Sequence, residues 1–174
     1  MSYSTGDKLV HPQHGVGTID GPPTVASNGQ TYVHLYFERA SLKIAIPEDS
    51  LDDVGIRRLS TPEQAERILA TLEETSDVST EWSERNADTI ARVKSTDLDQ
   101  AALVIRDLTR HEHRAAKALS AAEKGALDRC MDTVAQELSM VLGLSQDETR
   151  ELISDRIARG LPDDDQGGEA PVAV

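Results

Sequence analysis

The sequence predicts an α+β chain of two unlike parts: a small closed β unit, then an all-helical bundle of about five helices. Two observations carry this. Through the first sixty of the 174 residues, short runs rich in branched side chains are cut by Gly, Pro, Asn and Ser clusters. From residue 61 onward, apolar residues recur at helical spacing behind N-cap signals. The expected divisions are 1–59 for the β unit, 60–160 for the helices and 161–174 for an acidic tail with too little apolar content to order itself.

The strands are expected in "DKLVH", "GVGTID", "TYVHLYF" and "LKIAIP". In "TYVHLYF" the alternation puts Tyr32, His34 and Tyr36 on one face and Val33, Leu35 and Phe37 on the other. Asn28-Gly29 is a turn dipeptide that tolerates positive φ at both positions. Strands this short, in so few residues, suit a small barrel, which removes exposed edges. Thr61-Pro62-Glu63-Gln64 then offers an N-cap, a Pro at the first helical position and the residues of a capping box. Ala65, Ile68, Leu69 and Leu72 follow on one face. A second helix is expected from Glu81 to Lys94, and a third from Asp97, with Leu98, Ala101, Ile105 and Leu108 buried. Ser120 to Glu123 opens a fourth, closed by Gly143, and Ser145 to Glu148 caps a fifth that ends near Gly160.

Composition narrows the function. No apolar run is long enough to span a bilayer, and "MSYSTGDKLV" lacks the regions of a secretory signal. Cys130 is alone, so no internal disulfide forms. The expectation is a soluble cytoplasmic protein. A net charge of −13 argues against a simple polyanion binder. The charge is uneven, however: residues 59–109 carry −6 and residues 110–160 only −1. Nucleic-acid contact must therefore be local, or assisted by a partner that supplies affinity.

No nucleophile–base pair, carboxylate dyad or phosphate loop is visible, so an enzyme is not expected, and neither a cofactor nor a small-molecule substrate. His11 and His14 stand three apart, too few ligands for a zinc site. Cys130 lies beside a buried stripe and reads as packing. Arg106, Arg110, Arg114 and Lys117 share one face of the third helix, and that face is expected to point to solvent. It is either a solvated charged face or a local basic stripe for phosphates, which Lys124 would extend. Trp82, the only tryptophan, stands in "STEWSERN" at a helix start. It is either a core residue on the meridian of Thr89 and Val93 or a wedge for an opened base step.

These pieces resemble the CarD family of bacterial transcription regulators over roughly residues 4–145. "GDKLVHPQHGVGTI", "IPEDSLDDVGIRRL", Trp82-Ser83 followed by "VIRDL" at 104–108, and "LSAAEK" at 119–124 keep the family's order and approximate spacing. The resemblance implies a Tudor-like barrel that docks on the RNA polymerase β subunit through the strand Lys43, Ile44, Ala45, Ile46 and Pro47. It also implies a helical domain that meets promoter DNA at the upstream edge of the melted region. There Trp82 would wedge into the minor groove and Lys124 would lie near the same DNA surface, so that the open complex persists. Arg85 alone remains of the basic run that commonly follows the Trp; Glu84 and Asp88 stand beside it, and Ala45 replaces a common Arg. The expected molecule is a monomeric, divergent member whose weak DNA contact is assisted by tethering to polymerase. The rival expectation is a protein-only adaptor whose helices do not touch DNA.

Overall fold

The structure, a computed structural model, describes residues 3–76, 78–95, 97–115 and 118–161. Lys117 and nearly all of the expected acidic tail lie outside the described residues. Six strands come first: β1 (Lys8–His11), β2 (Gly15–Ile19), β3 (Thr24–Val25), β4 (Thr31–Phe37), β5 (Leu42–Pro47) and β6 (Arg57–Arg58). They form one antiparallel sheet in the order β3-β4-β2-β1-β6, with β5 on the other side of β4. In these pairings β3 and β5 bond only to β4 and β6 only to β1.

Alternation in β4 sorts its side chains as predicted. Val33, Leu35 and Phe37 are buried, while Tyr32, His34 and Tyr36 are half-buried on the opposite face. Leu9, Ile19, Ile46, Leu51 and Ile56 complete the cluster beneath the sheet. The loop before β4 differs from the expected two-residue reversal. Only Gly29 takes a positive φ (80°); Ala26 accepts from the Gly29 amide, and the Asn28 side chain accepts from Gln30 N. A longer loop with a single left-handed glycine meets the same need. Gly17 has a different reason to be glycine: a Cβ there would lie 2.7 Å from the Phe37 ring. Gly17→Ala is therefore expected to cost about 1–3 kcal/mol by overpacking, read as a lower denaturation midpoint.

Five helices follow: α1 (Pro62–Glu73), α2 (Trp82–Lys94), α3 (Leu98–Ala115), α4 (Ala121–Leu142) and α5 (Gln146–Gly160). The local signals work as written. Thr61, Ser120 and Ser145 each close a capping box with Gln64, Glu123 and Glu148, and Gly143 ends α4 in the left-handed region. Two amide donors at the starts of α1, α4 and α5 are thereby satisfied. Ile68, Leu69 and Leu72 of α1 meet Ile105 and Leu108 of α3, Val134 and Leu138 of α4, and Ile153 and Ile157 of α5 in a second hydrophobic cluster.

A polar seam joins sheet and helices, and α4 supplies its helical side. Arg57 of β6 forms a two-pronged bond to Glu137, Nη1 to Oε1 and Nη2 to Oε2, both at 2.7 Å. The Ser60 amide and hydroxyl also donate to Glu137, at 2.8 and 2.7 Å. Arg39 approaches Asp132 at 3.9 Å, and Gly15 lies against the Gln136 side chain. Glu137 is 1% exposed, a charge that burial would penalise were it not surrounded by donors.

Candidate nucleic-acid interface and docking strand

Trp82 opens α2 and is 52% exposed, so the core reading of this residue does not hold. Helical periodicity places it near Thr89, which is buried, yet Trp82, Ser83 and Glu84 are all exposed. What fixes this turn is Arg85. Its Nε donates to Glu123 Oε1 at 2.6 Å, and its Nη1 to the carbonyls of Ser79 and Thr80. Glu123 also closes the Ser120 capping box, so one carboxylate caps α4 and anchors α2. Burial alone would push the Glu123 carboxyl up. The Ser120 hydroxyl and amide and the Arg85 guanidinium outweigh it and hold the group below the usual carboxylate range. The first turns of α2 and α4 are thus joined, with Trp82 on one and the exposed Lys124 on the other.

The expected basic stripe is a correction. Arg106 is 8% and Arg110 1% exposed, so this face of α3 does not point to solvent. Arg106 bonds to Asp107 and Glu74, and Arg110 Nη2 to the Glu73 carbonyl at the end of α1. Arg114 is exposed and donates to the Ser76 carbonyl. The cause is the position of α3: α1, α2 and α4 all pack on it, and the turn after α1 crosses the face opposite Leu108. Arg85 is likewise buried, at 8% exposure, rather than presented to a ligand. Of the predicted cationic set, Arg114 and Lys124 are exposed, and Lys117 lies outside the described residues. The two carboxylates after the Trp have local partners: Glu84 accepts from the Ser79 hydroxyl, and Asp88 pairs with Arg92 at 3.0 Å.

In β5, alternation divides the predicted docking residues. Lys43 and Ala45 are exposed on the face shared with Tyr36 and His34, Ile44 and Pro47 are half-buried, and Ile46 is in the core. Ile44 and Ile46 therefore serve the sheet's own cluster. What β5 offers a partner is its outward row, its backbone edge and Lys43, which is held by Asp20 at 2.6 Å and lies over the Tyr36 ring.

The His11 and His14 rings lie 4.6 Å apart at a tilt of 36° and both pack on Phe37, while His11 Nδ1 accepts from the Gln13 amide. Burial and His14 lower the His11 pKa. Among the described residues no group of three or more metal-ligating side chains forms. A cleft of about 460 Å³ lies along the seam, yet its Arg39, Arg57 and Arg92 already face Asp132, Glu137 and Asp107. Cys130 is buried, and burial pushes its thiol up to about 11. Native protein is expected to leave a thiol-specific reagent unconsumed at about pH 8, and unfolded protein to consume one equivalent; rapid native labelling would contradict the burial.

Two residues that sequence reasoning missed organise this region. Glu123 reads as a cap, and nothing local marks it as the partner of a residue thirty-eight positions earlier. Glu137 did carry a signal: at helical spacing it shares a side of α4 with the buried Cys130 and Val134, a side that a solvated carboxylate would not share.

Two family descriptions match the chain. Residues 3–60 match the family described as "CarD-like/TRCF RID domain", and residues 67–154 match "CarD, C-terminal domain". The chain is also similar to the "Putative transcription factor YdeB" of Bacillus subtilis (strain 168): 24% identical over 151 residues, covering 85% of this chain and 97% of that protein. Among the described residues no helix is long and apolar enough to cross a membrane.

Proposed function

The chain belongs to the CarD family, as a divergent member with a transcription-associated function, and from that premise we propose how it acts. It docks on the RNA polymerase β subunit through residues 1–59, and its helical residues 60–160 contact promoter DNA at the upstream edge of the transcription bubble. Neither family it matches is a known enzyme family, and the proposed mechanism is preferential binding: a DNA conformation that exists without the protein becomes more populated with it.

The observation that carries this reading is the half-exposed Trp82, fixed on its turn by a buried ion pair. An indole held outside the core fits a base step opened by melting, where one side chain can fill the gap left by unstacking. Lys124, on the neighbouring first turn of α4, supplies a phosphate contact. Arg85, Arg106 and Arg110 act as scaffold, because their guanidinium groups are buried. So few contacts suffice once docking raises the local concentration of the helices at the promoter. The docking strand is β5, whose Lys43 and Ala45 face outward and whose edge away from β4 pairs with no strand among the described residues.

The test is the lifetime of open promoter complexes with the full chain present. A lengthening that depends on Trp82 sustains the proposal, and no lengthening at any promoter tested removes it. Lys124→Ala is expected to weaken promoter association uniformly across sequences and to reduce the slope of log affinity against log salt by about one. The adaptor reading has its own support in the burial of three predicted DNA-facing arginines and the net charge of −13. It requires that the slope not change with Lys124.

A further inference from the structure

Glu123 and Glu137 stand fourteen residues apart on α4, and each is 1% exposed. Fourteen residues is about 21 Å of helix and brings the two side chains to within roughly 40° of one meridian. They are bound by different halves of the molecule. Glu123 holds Arg85, three residues beyond Trp82, whereas Glu137 holds Arg57 and Ser60, at the last strand and the link into α1. Both carboxylates have donors on both oxygens. The Arg57–Glu137 pair imposes a geometry, because a forked guanidinium bond constrains orientation as well as distance. Arg85 is oriented by its Nε bond to Glu123 together with its bonds to the Ser79 and Thr80 carbonyls.

We propose that α4 is a rigid strut between the docking sheet and the Trp82 turn, with Glu123 and Glu137 as its two positioning residues. Where the sheet sits on its partner then determines where the indole falls. Linked domains ordinarily move relative to one another. Here the link closes on a buried carboxylate that also grips the last strand. The inference rests on the proposed promoter function for its consequence but not for its geometry.

The experiment places spin labels at Val25→Cys and Ala87→Cys, both exposed, in the full chain, with buried Cys130 left unlabelled. Pulsed dipolar spectroscopy reads the distance distribution between sheet and α2. The wild-type distribution is expected to be a single narrow peak. Glu137→Gln should broaden it about twofold as the halves regain the motion usual for linked domains, with the far-ultraviolet circular dichroism unchanged. Arg57→Lys keeps the charge but loses the fork and should act in the same direction, and it replaces Glu137→Gln if that variant fails to fold. Glu123→Gln should leave the distance between sheet and helices centred where it was but lower the fluorescence anisotropy of Trp82, since only the α2 end is released. At saturating protein the Glu137→Gln and Arg57→Lys variants should give open complexes roughly tenfold shorter-lived, as small misplacements do to positioned groups. A broad wild-type distribution, or a peak unmoved by both seam variants, overturns the strut. So does a broadened peak with wild-type lifetimes. Trp82→Ala in the same lifetime assay decides the wedge separately, so the strut can fail while the wedge stands.

Discussion

Trp82→Ala is expected to shorten open-complex lifetime by about five- to 150-fold, the equivalent of the ~1–3 kcal/mol that one base stacked on an aromatic ring is worth. Polymerase binding should be nearly unchanged, because the substitution lies outside the sheet. Stability should also be nearly unchanged, since the indole is 52% exposed and belongs to neither hydrophobic cluster. This combination separates the wedge from a packing role, which would lower the denaturation midpoint together with the lifetime. The measurement is dissociation of preformed complexes after competitor addition, at saturating wild-type or variant protein. Equal lifetimes for the two proteins would leave the exposed tryptophan without the role proposed for it.

Arg85→Ala should act on the fold instead. It leaves the Glu123 carboxylate buried without its cation, and breaking one side of a buried pair costs about 3–5 kcal/mol. Against a typical total of ~5–15 kcal/mol this is a large fraction, and it should appear as a marked loss in denaturant midpoint. Arg85→Ala with Glu123→Gln should be less destabilised than Arg85→Ala alone, because the second change removes the orphaned charge but keeps a group able to accept from Ser120. The pH dependence has a defined sign. The Glu123 pKa is lowered in the folded chain, so the stability it contributes is fully present above the unfolded value of about 4.3 and declines as pH falls through the folded value. The gap between wild type and Arg85→Ala should therefore narrow in acid below about pH 4. A gap independent of pH would mean that Arg85 stabilises through its carbonyl bonds to Ser79 and Thr80 rather than through Glu123.

Fold and site differed in how much could be read ahead. Caps were legible because they are local: Thr61 with Gln64, Ser120 with Glu123 and Ser145 with Glu148 each complete their bonds within four residues. Alternation in β4 was legible for the same reason, since the backbone itself sends successive side chains to opposite faces. Arg106 and Arg110 of α3 were misread as solvent-facing because periodicity shows which residues share a face, not what covers it. Arg106 and Arg110 do share one, but the turn after α1 lies across it. Arg85 looked like a remnant of a DNA-facing run and is instead the bolt that holds Trp82 outside.

The amino-acid sequence by itself determined a β unit followed by five helices, three of them opened by capping boxes, their order, and the family to which they belong, because each depends on neighbours a few residues apart or on motifs read in register. Only the tertiary structure decided that Trp82 is exposed, that Arg106 and Arg110 are interior, and that Glu123 and Glu137 tie α2 and β6 to one helix. The physical reason is that a charged side chain's fate depends on what arrives opposite it. That partner stands thirty-eight residues away for Arg85 and eighty for Arg57, beyond the reach of any local pattern.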